Sequence, residues 1–244
     1  MPAALYKYCR ATDCEPIRIA GGMLVPTSQQ TQDYLLCAAC EDVLNKGGES
    51  WLVPRLATID RKFPFYEMLL KDLPGYNDGR MAIYSAAYNS EISCEKIAHF
   101  AMSIFWKASA HSWRKATSEP KIQLGPYSEP IRLWLRGDAG FPEHMALLVY
   151  VSPPPRAQIV FSEPCAAARD EARNYFFHVP GVLFMLTVGK TLPRDAKSLS
   201  FFPAPTHPII VTEFAAAAIE NLFAGLTARS RESRGYTQYR SRHR

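Results

Sequence analysis

Residues 34–48 read Tyr34-Leu35-Leu36-Cys37-Ala38-Ala39-Cys40-Glu41-Asp42-Val43-Leu44-Asn45-Lys46-Gly47-Gly48. Glu41 and Asp42 put acidic groups in the first turn of a helix over 41–46, and Gly47-Gly48 reads as its stop. A second thiol pair, Cys9-x4-Cys14, precedes this one, with twenty-two residues between Cys14 and Cys37. Two short-spaced pairs joined by a folded segment suit Zn²⁺, which takes four thiolates tetrahedrally at about 2.3 Å. The expected ligands are Cys9, Cys14, Cys37 and Cys40. A closed four-sulfur site has no open position, so the expected cofactor is a structural zinc.

The chain has 244 residues, 48% of them hydrophobic, enough for a small module attached to a medium domain. The expected division is a metal module over 1–48, an α+β domain over 49–228 and a basic, disordered tail over 229–244. No run of eighteen apolar residues occurs, and the first ten residues lack the apolar core of a secretory signal. A cytoplasmic protein without a membrane partner is therefore expected. In a reducing compartment the six cysteines do not form a disulfide framework, which leaves Cys94 and Cys165 as buried thiols.

The net charge of +5 is concentrated at one end. Removing the tail's six arginines and one glutamate from 28 basic and 23 acidic residues leaves 22 of each in residues 1–227. Composition thus gives the body no broad nucleic-acid-binding face, and only the tail is a candidate for phosphate contact. Its arginines are Arg229, Arg231, Arg234, Arg240, Arg242 and Arg244, with Tyr236 and Tyr239 placed to stack on bases. The second reading of the same segment is a solubilising terminus.

Past the metal module, apolar residues Ile97, Phe100, Ala101, Ile104, Phe105 and Ala108 recur at helical spacing, predicting a central helix over 93–115. A short helix is expected from Ser128 to Gly137. Runs at 145–151, 158–161, 175–179, 182–188 and 198–202, separated by proline and glycine, read as strands of an antiparallel sheet. Thr212 then caps a C-terminal helix to about Ala228, with Phe214, Ala217, Ala218, Leu222 and Leu226 on its buried side. The expected fold class is α+β: zinc module, central helix, antiparallel sheet, C-terminal helix.

The Leu-Leu-Cys-x2-Cys stretch ahead of a helix resembles HNH-type zinc modules, which belong to the treble-clef group, over residues 8–48. Leu24-Val25-Pro26 matches the end of that family's first motif, but Gly22 and Met23 occupy its Asp and His positions. The family's asparagine falls near Gln32 and its last histidine near Leu44 or Asn45. Nuclease chemistry needs an imidazole base and metal-holding groups, so the resemblance implies a zinc-stabilised fold and not that reaction. Segments 35–42, 46–49 and 99–106 are also similar to bacterial proteins that carry such a finger ahead of a larger body. That likeness implies that finger and body form one unit, and it implies no activity.

The remaining candidates are thin. None of the six histidines is paired at ligand spacing, and His99 reads as a core residue. Asp138, Glu143 and His144 share a loop suited to acid–base work, although loop capping explains them as well. Gly189-Lys190-Thr191 lacks the first glycine of a phosphate-binding loop. The expected function is a non-catalytic, zinc-stabilised protein that binds DNA, RNA or a protein partner. Two alternatives stand beside it: a metal-dependent nuclease or other hydrolase with a non-standard site, and a purely structural or interaction protein presenting its aromatic residues.

Overall fold

The computed structural model describes residues 3–8, 16–20, 23–27, 35–110, 122–154, 160–167, 172–229 and 231–232. The chain begins with α1 (Ala3–Tyr6), whose Leu5 is fully buried, and continues into strands β1 (Ile17–Ala20) and β2 (Met23–Pro26), which pair antiparallel. Helix α2 (Ala38–Leu44) starts at Cys37 and does not end at the two glycines. It passes through a π-helical turn (Asn45–Glu49) straight into α3 (Ser50–Leu56).

The expected stop fails because the glycines serve close packing. A Cβ on Gly48 would stand 2.5 Å from the Lys96 carbonyl oxygen, and one on Gly47 would stand 2.3 Å from the His99 ring. Both contacts fall on α5 (Cys94–Ala110), the central helix, which crosses over this turn. Bare backbone lets the two helices approach to contact, and the wider π turn accommodates the crossing. Pro54 inside α3 removes one backbone donor, yet Leu52, Val53 and Leu56 bury the helix firmly enough to hold it.

Helix α4 (Pro64–Leu69) and strands β3 (Tyr76–Asn77) and β4 (Met81–Ser85) precede α5. After it come α6 (Ser128–Leu135), β5 (Met145–Val151), β6 (Cys165–Ala167), β7 (Arg173–Val179) and β8 (Val182–Val188). Then follow α7 (Arg194–Ser198), β9 (Pro208–Thr212), α8 (Glu213–Arg229) and β10 (Arg231–Glu232). Helix α6 ends as its sequence predicts. Gly137 has φ +78°, and the Asp138 and Gly137 amides donate to the Leu133 and Trp134 carbonyls, each at 2.9 Å. Its start differs: a 3₁₀ turn (Gly125–Tyr127) leads in, and Ser128 Oγ lies 3.5 Å from Ser109 Oγ instead of capping.

Seven of these strands form one sheet in the order β3-β4-β9-β5-β8-β7-β6. The sheet is mixed, not antiparallel as the sequence suggested, because β9 runs parallel to β5 while pairing antiparallel with β4. The β7–β8 hairpin turns on Pro180-Gly181, with Gly181 at φ +73°, a backbone conformation that glycine adopts without strain. The run at 198–202 is not a strand. Its first residue closes α7, and the rest contributes a single bridge from Phe202 to Leu147. Part of the run at 158–161 lies outside the described residues, and 160–161 carry no strand.

Alternation along β5, β7 and β8 sends Met145, Leu147, Val149, Tyr175, Phe177, Phe184 and Leu186 to the main apolar cluster under α5. There the Phe105 and Phe177 rings meet edge to face at 4.9 Å, and Phe177 stacks on Phe184 at 5.1 Å. The same cluster takes in Leu5, Leu44, Leu52 and Leu56, so described residues on both sides of position 48 share it. On the opposite face Ala146 and Leu148 pack under Ala196 of α7. Thr212 Oγ1 accepts the Phe214 amide at 3.2 Å, the cap its sequence predicts for α8. Phe214 is exposed instead of buried, and the apolar anchor at this end of α8 is Ala216. The side chains of Ala218, Leu222 and Leu226 lie outside the described residues.

Candidate metal centre

Leu36 packs against the main cluster and Leu44 is buried in it, so the segment between them is fastened at both ends. The positions in between, Cys37 to Val43, are all exposed. Cys37 occupies the position just before α2 with extended backbone (φ −71°, ψ 161°), and its carbonyl accepts the Glu41 amide at 3.0 Å. This turn sets Cys37 and Cys40 three positions apart at the start of the helix, both exposed.

The two thiols shift each other's pKa in opposite directions. The Cys37 thiol is pulled below its ordinary value chiefly by the Cys40 backbone amide and then by the Cys40 thiol, both directed at its sulfur. Cys40 is pushed up, first by hydrogen bonding to the Cys37 thiol and then by the negative charge on Cys37. Arg136, whose Nε stands 3.0 Å from Asp138, adds a weaker pull in the thiolate direction at Cys40. Thiols bind a soft divalent cation as thiolates, so cation binding at this pair would release protons.

Cys9 and Cys14 lie outside the described residues, and so do Arg234, Arg240, Arg242 and Arg244. Their flanks are described. Tyr8 packs on the main cluster, and Ile17 opens the β1–β2 hairpin just beyond Cys14. At the other end of the chain, Arg231 and Glu232 run parallel to Met23 and Leu24, so the root of the basic tail lies along this same hairpin. Arg229 is the last residue of α8.

No family model, curated protein or solved structure matches this chain.

The other candidate residues occupy ordinary structural positions. Asp138, Glu143 and His144 are exposed, and Asp138 is engaged by Arg136. The His144 carbonyl accepts the Gly189 amide at 3.1 Å, extending the β5–β8 ladder, and its φ of +62° marks the turn into β5. His99 Nε2 lies 3.1 Å from the Leu135 carbonyl, which only accepts, so the ring carries its proton there. Its Nδ1 is buried without a partner among the described residues, and burial lowers its pKa.

Sequence reasoning missed His178, which is buried beside Ser162 with Nε2 unpartnered among the described residues. It also missed Lys107 of α5, whose Nζ reaches Glu41 Oε2 at 3.2 Å and so ties the central helix to the turn after Cys40. The central helix was legible from its spacing, but a bond spanning sixty-six positions leaves no local signal. No helix among the described residues is long and apolar enough to cross a membrane.

Proposed function

We propose that this chain is a non-catalytic nucleic-acid-binding protein whose fold is braced by one zinc ion on Cys9, Cys14, Cys37 and Cys40. The observation that carries the reading is the placing of Cys37 and Cys40 within one turn of each other at an exposed helix start. Both thiols are exposed, and two thiols at this spacing are half of a tetrahedral sulfur site. The order of elements supports the other half: hairpin β1–β2 follows Cys14, and the helix bearing the second pair follows the hairpin. A treble-clef module has its elements in the same order. The zinc would supply folding energy and no reaction, since four thiolates leave no coordination position for substrate.

Phosphate contact is assigned to Arg229, Arg231, Arg234, Arg240, Arg242 and Arg244. Pairing of β10 with β2 supports a role for the metal module in this, because it holds the tail's root against the hairpin between the cysteine pairs. Binding should weaken steeply with salt, with a log–log slope of about −4 on single strands if all six arginines engage. The test is nucleic-acid binding across a salt series by the intact chain and by a full-length variant with those six arginines replaced by glutamine. Loss of binding in the variant supports the reading, and unchanged binding removes its mechanism. A stable complex with protein and no retained nucleic acid would favour an interaction role instead.

A further inference from the structure

The small sheet is assembled from the two ends of the chain. Strands β1 and β2 pair within residues 17–26, and Arg231 and Glu232 of β10 run parallel to Met23 and Leu24 on the other side of β2. The segment that delivers β10 starts deep in the body. It leaves β9, an interior strand of the seven-stranded sheet with all five residues buried, at the Thr212 cap. The seventeen residues of α8, at 1.5 Å each, then carry the chain about 25 Å, and Ser230 alone joins the helix to β10. One end of this segment is built into the core, whereas a two-residue ladder holds the other.

What the ladder covers gives it a role. A sheet edge invites a foreign strand unless it is short, charged or covered. The edge strands of the large sheet, β3 and β6, have two and three residues, and β1 carries Arg18 among its four. The second side of β2 lacks such protection of its own: Met23-Leu24-Val25-Pro26 holds no charge, and Met23 is exposed. Strand β10 covers that side and makes an arginine and a glutamate the outer strand. We infer that α8 and β10 form a strap that fastens the hairpin to the body and closes the β2 edge, and that the edge pairs with the same edge of a second copy of this chain when the strap opens. An uncharged edge is complementary to itself, so the contact is isologous and ends at a dimer. The inference uses neither the zinc nor the nucleic-acid reading. Backbone amides along β2 point alternately to its two neighbours, so the strap governs those directed at β10 and leaves those directed at β1 to the hairpin.

The experiment compares the full-length parent with full-length Arg231→Pro/Glu232→Pro, whose prolines remove both amides that β10 can donate. Amide hydrogen exchange is read by mass spectrometry across residues 17–26, and sedimentation velocity is run over a concentration series. In the parent, the β2 amides directed away from β1 should be protected. In the variant they should exchange roughly tenfold faster, the step that losing one to two backbone hydrogen bonds produces, while amides of β5 and β8 keep the parent's rates. A dimer should form in the variant at concentrations where the parent shows none, with protection of β2 returning as it forms. A full-length Arg231→Ala/Glu232→Ala chain, which keeps the backbone amides, should match the parent. Parent amides as fast as those of a free peptide overturn the inference, and so do equal rates in parent and proline variant. A proline variant that loses protection yet stays monomeric throughout the series also overturns it. If the prolines unfold the body and so speed β5 and β8, the alanine chain and the parent's own protection decide: exchange in the alanine chain as fast as in a free peptide overturns the strap, and retained protection supports it.

Discussion

Gly48 and Phe100 pack backbone to backbone: a Cβ added to Gly48 would stand 2.6 Å from the Phe100 amide nitrogen. The helix containing Cys40 and the central helix therefore meet along main chain, and a methyl group has nowhere to go. On an open helix, alanine in place of glycine gains roughly 1 kcal/mol. Here the sign reverses, because overpacking against rigid backbone costs about 1–3 kcal/mol or more. Gly48→Ala should lower stability in denaturant titration. Gly47→Ala should also destabilise, since its methyl would displace the His99 ring from the Leu135 carbonyl.

Substitution at the knuckle should separate ligands from bystanders. Cys37→Ser or Cys40→Ser should reduce zinc content to background, and the melting temperature of either variant should no longer respond to a chelator. Cys94→Ser and Cys165→Ser should keep one zinc per chain and the chelator response. Metal binding that is coupled to folding produces this pattern by mass action. Elemental analysis beside thermal melts measures both halves.

Burial holds His178 neutral, with its pKa lowered to about 4 from an ordinary value near 6.5. Above pH 7 both folded and unfolded chains leave it uncharged, so it contributes nothing to pH dependence there. As pH falls from about 6.5 to about 4, the unfolded chain takes up a proton that the folded chain refuses, and stability drops by about 3 kcal/mol. His99, lowered mainly by burial, adds loss in the same direction. The half-buried Glu49 carboxyl, pushed up by burial, works against them at the acid end. Unfolding free energies measured from pH 7.5 to 4.5 should show a shallower slope for His178→Asn than for the parent chain.

Asn174 and Thr187 face each other across β7 and β8, where the Thr187 hydroxyl donates to Asn174 Oδ1 at 2.7 Å and both residues are buried. Thr187→Val keeps the shape but strands the amide oxygen, which should cost about 1–3 kcal/mol. A chain carrying Thr187→Val together with Asn174→Leu should recover part of that loss. Chemical denaturation of the four members of this cycle gives the coupling energy, and strictly additive losses would contradict the pairing.

Strands β5 and β8 were legible because each is a seven-residue apolar run between turn residues, buried on both faces. Turn chemistry located Gly137 and Pro180-Gly181 equally well. Strand β4 escaped because Met81-Ala82-Ile83-Tyr84-Ser85 has no regular alternation, and β9 because its Pro208 and its place before a helix make it look like a lead-in. Helix α3 was hidden behind two glycines and contains a proline, all residues that break a helix taken alone. Their tolerance comes from α5, a partner lying some fifty positions away in sequence. At the candidate metal centre, spacing alone proposed the four thiols, of which Cys9 and Cys14 lie outside the described residues. The approach of Arg136 to Cys40 and of Lys107 to Glu41 arises only once distant helices have packed.

The position of β9 also bears on synthesis. It is the strip that joins β3–β4 to the β5–β8–β7–β6 block, yet it is encoded after all six of those strands. A nascent chain emerging from the ribosome must hold two incomplete sheets with open borders at β4 and β5 until residue 212 clears the exit tunnel. Unpaired borders of this kind recruit other strands readily. Slowed translation at any point before residue 212 clears the tunnel should therefore prolong the aggregation-prone interval and raise the demand for chaperones, whereas a delay after that point should be harmless.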